Sequence, residues 1–194
     1  MKVAIINYNA GNTVSVANAL QRLGVEAVVT DSPAELRAAE KVIFPGVGEA
    51  STAMAYLRER RLDEVITSLT QPVLGICLGM QLMCSFSEEN DTECLGILPY
   101  RVRRFESETL KVPHTGWNRI SHLRSPLFDG VAEDSHVYFV HGYYVETGAD
   151  TTAVTNYCLN FSAGIDRGNF HAIQFHPEKS GEAGARILEN FLKI

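Results

Sequence analysis

The sequence predicts an α/β fold in three layers: a mostly parallel central sheet with helices on both faces, plus an antiparallel extension. Two observations predict it. Through the first half, short β-branched runs alternate with longer stretches of helical period, the pattern of repeated strand–helix–strand units whose parallel strands need cover on both faces. The second half changes to closely spaced strand-like runs separated by turns, as in an antiparallel addition. With 194 residues and no repeat, linker or low-complexity segment, residues 1–194 are expected to form one domain.

The elements follow in order. KVAIIN at 2–7 reads as the first core strand, ended by Asn7. NTVSVANALQRLG at 12–24 has a helical period and stops at Gly24, a residue suited to the left-handed turn just past a helix. VEAVVT at 25–30 is the second strand, Ser32-Pro33 opens a short helical turn, and KVIFPG at 41–46 is the third strand. A helix is expected from about Glu49 to Leu69, then the strand PVLGIC at 72–77, then a helix from Leu78. Strands are expected at 101–105, 136–145, 151–156, 161–167 and 170–175, with DRGN at 166–169 as a hairpin connection. An amphipathic helix closes the chain: Ala183, Ile187, Leu188, Phe191 and Leu192 share a stripe, and Ser180 is placed to cap it.

Composition removes several classes of function. The 45% hydrophobic and 21% charged content is that of a globular protein. No apolar stretch approaches the ~20 residues a membrane helix needs. The N-terminus lacks the apolar core of about 7–15 residues and the cleavage site of an export signal, so a cytoplasmic location is expected. The four cysteines, Cys77, Cys84, Cys94 and Cys158, are then read as thiols. A net charge of −6 opposes a nucleic-acid surface. The one basic cluster, YRVRRF, puts Arg101 and Arg103 on one strand face, and a solvated face is the simpler reading.

In open parallel sheets ligands bind beyond the carboxyl ends of the strands. Three segments end strands there: FPGVGEA, GICLGM and QFHPEKS. Gly75-x-Cys77-x-Gly79 has the shape of a nucleophile elbow, a sharp strand-to-helix turn that exposes a reactive side chain. At a helix N-terminus the unpaired N–H groups and the helix dipole favour a thiolate. The competing reading is an inert buried cysteine. A nucleophile needs a base and the base an orienter. His176 follows an apolar strand end, Pro177 stops the strand, and Glu178 is close enough to hold the imidazole in one tautomer. The Gly46-Val47-Gly48 loop permits backbone geometries in which an N–H joins that of Leu78 as an oxyanion hole.

Each segment alone has an ordinary structural reading; their coincidence at one sheet edge carries the inference. Metal chemistry fits poorly: there is no CxxC, HxH or HExxH, and the pairs His136/His141 and His171/His176, each five apart on expected strands, point to opposite faces.

On these residues the chain resembles the class I (triad) glutamine amidotransferases. FPGVGEA, GICLGMQLM, KVPHTGWN, YFVHGYY and QFHPEKSG occur in that family's order over essentially the full length. VPHTGWN and YFVHGYY make it most similar to the glutaminase subunits of imidazole glycerol phosphate synthase in histidine biosynthesis. The resemblance implies the flavodoxin-like three-layer fold of class I glutaminases. It implies that Cys77 attacks the side-chain amide of L-glutamine, that His176 carries the proton and that Glu178 orients it. Gly46, Val47, Gly48 and Leu78 would form the oxyanion hole, and Gln81, Glu89, Gly142 and Tyr143 would hold glutamine. No metal or organic cofactor is implied.

Ammonia would pass to a (β/α)8 cyclase subunit in a heterodimer, with Asn12, Trp117 and Lys179 at or near the interface. That barrel takes ~250 residues, so it must be a separate chain. For Trp117 a place in the core is an equal alternative. The sequence departs from the family's usual pattern at Gly142, where Ser is usual, at Asn7-Tyr8-Asn9, where Asp-Tyr-Gly is usual, and at Glu49, where an apolar or small residue is usual. Glutaminase subunits of pyridoxal phosphate, anthranilate or purine synthesis are rivals that VPHTGWN opposes. A non-catalytic flavodoxin-like binding module would leave the joint presence of Cys77, His176, Glu178 and the glycine loop unexplained.

Overall fold

Four-residue apolar runs make the centre of the molecule. In a computed structural model describing residues 1–9 and 11–194, β1 (Val3–Ile6), β3 (Lys41–Phe44) and β4 (Val73–Ile76) are buried at every position. Strands covered on both faces need such unbroken runs rather than alternation. Between and after them lie α1 (Thr13–Arg22), β2 (Ala27–Thr30), α2 (Pro33–Ala38), α3 (Ala50–Glu59), α4 (Leu62–Thr67) and α5 (Leu78–Met83). The second half supplies β5 (Phe86–Ser87), β6 (Thr92–Glu93), β7 (Arg101–Arg104), β8 (His114–Arg119), β9 (His136–His141), β10 (Tyr143–Val145), β11 (Thr151–Tyr157), β12 (Leu159–Arg167), β13 (Phe170–Ile173) and α6 (Gly181–Lys193).

The main sheet has seven strands in the order β11-β12-β13-β4-β3-β1-β2. The pairs β2–β1, β1–β3, β3–β4 and β4–β13 are parallel, whereas β13–β12 and β12–β11 are antiparallel. The expected mostly parallel sheet with an antiparallel extension is therefore present. One face packs Ala4, Ile6 and Phe44 against Met54, Leu57, Ile66 and Leu82 of α3, α4 and α5. The other packs Val3, Ile5 and Leu74 against Val16 and Leu20 of α1, Ile187 and Phe191 of α6, and Phe139 of β9. Smaller sheets, β10-β7-β5-β6 and β8-β9, flank this core. Among the described residues no helix is long and apolar enough to cross a membrane.

Three expectations need correction, and one strand was not expected at all. The helix at 49–69 is two, because Arg61 takes a left-handed φ of 54°. Leu57 is followed at the next helical core positions by Arg60 and Arg61, so a straight helix would bury charge. The break resets the phase and lets Leu62, Val65 and Ile66 pack. The strand at 136–145 is divided at Gly142: β9 pairs with β8 and β10 with β7. His114–Arg119, polar along most of its length, is a strand that its composition concealed. Ser180 makes no side-chain cap to α6; its hydroxyl donates to His176 O at 2.6 Å and accepts from Tyr138 N–H at 2.9 Å.

Candidate functional site

Parallel pairing of β4 with β13 decides which loops meet. The register sets Ile76 opposite Ile173, so Cys77 leaves one strand beside the segment that leads to His176 from the other. Cys77 has φ 53° and ψ −107°, a conformation strained by about 1–3 kcal/mol for a residue with a side chain. It is held there by its N–H donating to Ile173 O at 2.8 Å and by close packing of the turn. A Cβ at Gly79 would sit 1.9 Å from Phe44 O, so only glycine lets the start of α5 lie against β3. The elbow expected from the glycine spacing is thus formed.

His176 donates its backbone N–H to Tyr138 O at 2.9 Å, and its Nδ1 lies 2.9 Å from Glu178 Oε1. Both side chains are shut off from solvent. Burial opposes charge on the imidazole, but the Cys77 sulfur and the Glu178 carboxylate outweigh it and raise the pKa to about 10. His176 Nε2 has no partner meeting hydrogen-bond geometry, although the Cys77 sulfur is near enough to raise the ring pKa. Apo sites often leave this contact loose. Asn12 Nδ2 donates to the same Glu178 oxygen at 3.1 Å. Asn12, expected at a partner interface, thus contacts the carboxylate that holds His176.

A cleft of about 290 Å³ opens above Cys77. Val47, Gly48, Leu78, Gln81, Glu89, Gly142 and Tyr143 line it, together with Pro113, Val140 and His141, to which the sequence reading gave no part in the substrate site. Burial raises the Glu89 pKa, and its Oε2 accepts the Ala50 N–H at 2.8 Å. Glu49, next to the glycine loop, accepts from Ser51 N–H and Thr52 N–H and so caps α3, and Asn90 Nδ2 donates to it at 2.7 Å. Its unusual identity has a local structural use.

The glycine loop is tightly seated. A Cβ on Gly46 would come within 2.6 Å of Leu78 Cβ and 2.7 Å of Tyr8 Oη, and the Tyr8 hydroxyl donates to Pro45 O at 2.5 Å. Leu78 N–H, expected to face an oxyanion, instead donates to Gly46 O at 3.3 Å. Val47 O accepts from Gly11 N–H at 3.1 Å. The loop is beside the nucleophile with its own carbonyl in the expected oxyanion position.

The profile of the family described as glutamine amidotransferase class-I matches residues 4–194. The chain belongs to the class I glutamine amidotransferases. The imidazole glycerol phosphate synthase subunit HisH of Bacteroides fragilis is 60% identical over 196 residues, covering 100% of both chains. The protein of the same name from Haemophilus influenzae is 45% identical over 194 residues, 100% of this chain and 98% of that one. Among solved structures, PurLQS from Thermotoga maritima superposes with a TM-score of 0.74 at 18% identity, over 99% of this chain and 97% of that one. A glutamine amidotransferase crystal structure gives a TM-score of 0.74 at 20% identity, over 98% and 97% of the two chains. These two likenesses concern the fold.

On this amidotransferase chain, Trp117 lies on β8 and is 56% exposed, which removes the core alternative. Its ring meets Tyr138 edge-on at 6.1 Å, and Lys179 Nζ stands 5.8 Å from the Tyr138 ring. Trp117, Tyr138 and Lys179 form one patch beside the His176 turn. Tyr138 was missed because nothing in its own neighbourhood distinguishes it from a strand aromatic. Gln174 was missed too, although a lone amide in the run Ala172–Phe175 was a signal. It is fully buried and donates Nε2–H to Cys77 Sγ at 3.6 Å.

Proposed function

We propose that this chain is the glutaminase subunit of an imidazole glycerol phosphate synthase, acting in histidine biosynthesis. It hydrolyses L-glutamine to glutamate and ammonia, and a separate (β/α)8 cyclase chain in a heterodimer consumes the ammonia. Cys77 in the lining of the cleft, with the buried His176–Glu178 pair beside it, carries the chemical reading. The full-length identity to subunits of that name supports the choice of pathway.

In this reading Cys77 gives its thiol proton to His176 Nε2, and the thiolate attacks the amide carbon of glutamine to form a tetrahedral intermediate. The imidazolium of His176 gives its Nε2 proton to the leaving nitrogen, and ammonia departs as the thioester forms. Water, deprotonated by His176, then cleaves the thioester to glutamate and restores the thiol. Glu178 holds the ring by Nδ1 in both forms and stabilises the charged one. Glu89 and Gln81 supply acceptors that suit an α-ammonium group, and the Gly142–Tyr143 backbone bounds the other side.

The Gly46 carbonyl occupies the Leu78 N–H, so the glycine loop must turn before that N–H can stabilise an oxyanion. Docking of the cyclase on the Trp117, Tyr138 and Lys179 patch favours the turned loop, and the isolated chain is slow. The test is glutamate release by the purified chain, alone and with a cyclase subunit plus its nucleotide ligand, with Cys77→Ala as control. Release that rises with the partner and vanishes in Cys77→Ala is the expected result. No release in any mixture would remove the reading.

A further inference from the structure

Two buried histidines beside the cleft have no part in the triad. His114 on β8 and His141 on β9 are paired across the hairpin, with His114 Nδ1 3.0 Å from His141 Nε2. His141 Nδ1 is 2.7 Å from Tyr143 O. A carbonyl only accepts, so Nδ1 of His141 carries the hydrogen. On a neutral ring Nε2 is then an acceptor, and His114 Nδ1 donates to it. His114 Nε2 in turn accepts from Asn118 Nδ2 at 3.3 Å, an amide whose nitrogen also donates to Asn156 O at 3.0 Å. Every donor has one acceptor, and the bonds all run in one direction only when both rings are uncharged.

The surroundings enforce neutrality. His114 is stacked between Tyr157, at 4.0 Å, and Phe139, at 4.8 Å. His141 packs against Phe105 at 5.3 Å and Phe161 at 5.2 Å. The groups facing the pair are the Tyr157 phenol from β11, the Cys77 thiol at the elbow, Glu89 across the cleft, and His176 beyond β13. No carboxylate among the described residues bonds to either ring, and a charged His176 repels charge on His141. Burial pushes His114 down to about 4. Burial first, and then His114 and His176, push His141 down to about 3, against the contribution of its bond to Tyr143 O.

The Tyr143 carbonyl has a second donor. Gln81 Nε2 gives one hydrogen to Tyr143 O at 3.1 Å and the other to Gln174 Oε1 at 3.0 Å. Both amide hydrogens are spent, so Oε1 is what Gln81 has left to offer the cleft that it lines. We infer that His114 and His141 are positioning residues: a neutral pair of fixed tautomer that anchors the Tyr143 carbonyl and keeps the Gln81 amide oxygen facing the substrate. An acceptor there, opposite Glu89, selects a ligand bearing a cationic amine. The inference rests on the glutaminase reading of the cleft.

The test uses the full chain with its cyclase partner. In ¹⁵N-histidine-labelled wild type near neutral pH, long-range ¹⁵N–¹H correlation is expected to show hydrogen on Nδ1 and none on Nε2 for both rings. Hydrogen on Nε2 of either ring, or a charged ring, overturns the pair. His114→Phe keeps the stacking and removes the donor. It is expected to raise KM for glutamine about tenfold and to reduce, by a similar factor, the preference over the analogue lacking the α-amino group. Alkylation of Cys77 by iodoacetamide should stay within about twofold, because the triad is untouched. An unchanged KM, or alkylation that falls in step with activity, overturns the positioning role. If His114→Phe does not fold, the wild-type spectrum decides. If wild type releases no glutamate, the glutaminase reading falls and the ring tautomers still decide the pair.

Discussion

Asn12 and His176 both donate to one oxygen of Glu178, while the other oxygen is buried without a partner. The carboxylate is therefore aimed by two bonds, and losing Asn12 leaves it free to turn. Bonds to charged groups contribute about 1.5–3 kcal/mol, so Asn12→Ala should lower kcat for glutamate release at least about tenfold, with KM little changed. An unaltered kcat in the partner complex would mean that His176 needs no aim from Asn12. The ion pair also has a stability signature. The folded-state pKa of His176 is raised to about 10. Its stabilisation is full below the ordinary histidine value and is lost as pH rises through about 10. Glu178→Gln removes one cause of the rise, so the fall of Tm with rising pH should be smaller and be complete at lower pH than in wild type; superimposable profiles from pH 7 to 10.5 would refute the pairing. Cys77, His176 and Glu178 were legible because glycine spacing and Pro177 mark them locally. Asn12 on Glu178 and Gln174 on Cys77 were not, since those contacts join residues 166 and 97 positions apart.

Elements were legible where burial is uniform and obscure where function or geometry breaks a run. The strands at 3–6, 41–44 and 73–76 could be read because parallel strands covered on both faces must be continuously apolar. The polar run at 114–119 hid a strand whose partner is set only by tertiary pairing, and that pairing brings His114 to His141. Charge at Arg60 and Arg61 was the available sign that a single helix could not run from 49 to 69. At the start of α3, Glu49 accepts from the N–H groups of Ser51 and Thr52. Burial opposes its charge, yet bonds from these two residues lower its pKa to about 2. Its stabilisation is therefore full above the ordinary carboxylate value and fades as pH falls towards about 2. Glu49→Ala should cost about 1 kcal/mol, seen as a Tm lower by about 2–4 °C at neutral pH, with the gap closing in acid. A constant gap down to pH 2.5 would show that the carboxylate is not the cap.

At the scale of the whole molecule, β9 of the two-stranded sheet lies against the turn that follows β13 of the main sheet, and a single hydroxyl ties them. Ser180 Oγ accepts from Tyr138 N–H and donates to His176 O, while His176 N–H donates to Tyr138 O. The patch of Trp117, Tyr138 and Lys179 is thus bonded to the turn that carries the proposed base. A partner seated there can move His176 through three short hydrogen bonds, without a path through the core. Trp117 is the only tryptophan and is 56% exposed, so it reports on this surface alone. Titrating the cyclase subunit should shift its emission to the blue as water leaves the indole. Because the side chain buries little within the chain, Trp117→Ala should change stability by less than about 0.5 kcal/mol. At the centre of an interface a tryptophan is worth about 2 kcal/mol or more, so the same variant should weaken partner binding about 30-fold and reduce partner-stimulated glutamate release at fixed concentration. The two readouts separate the cases. A loss of Tm would make Trp117 a structural residue, and an unchanged emission spectrum in an active complex would put the partner on another face.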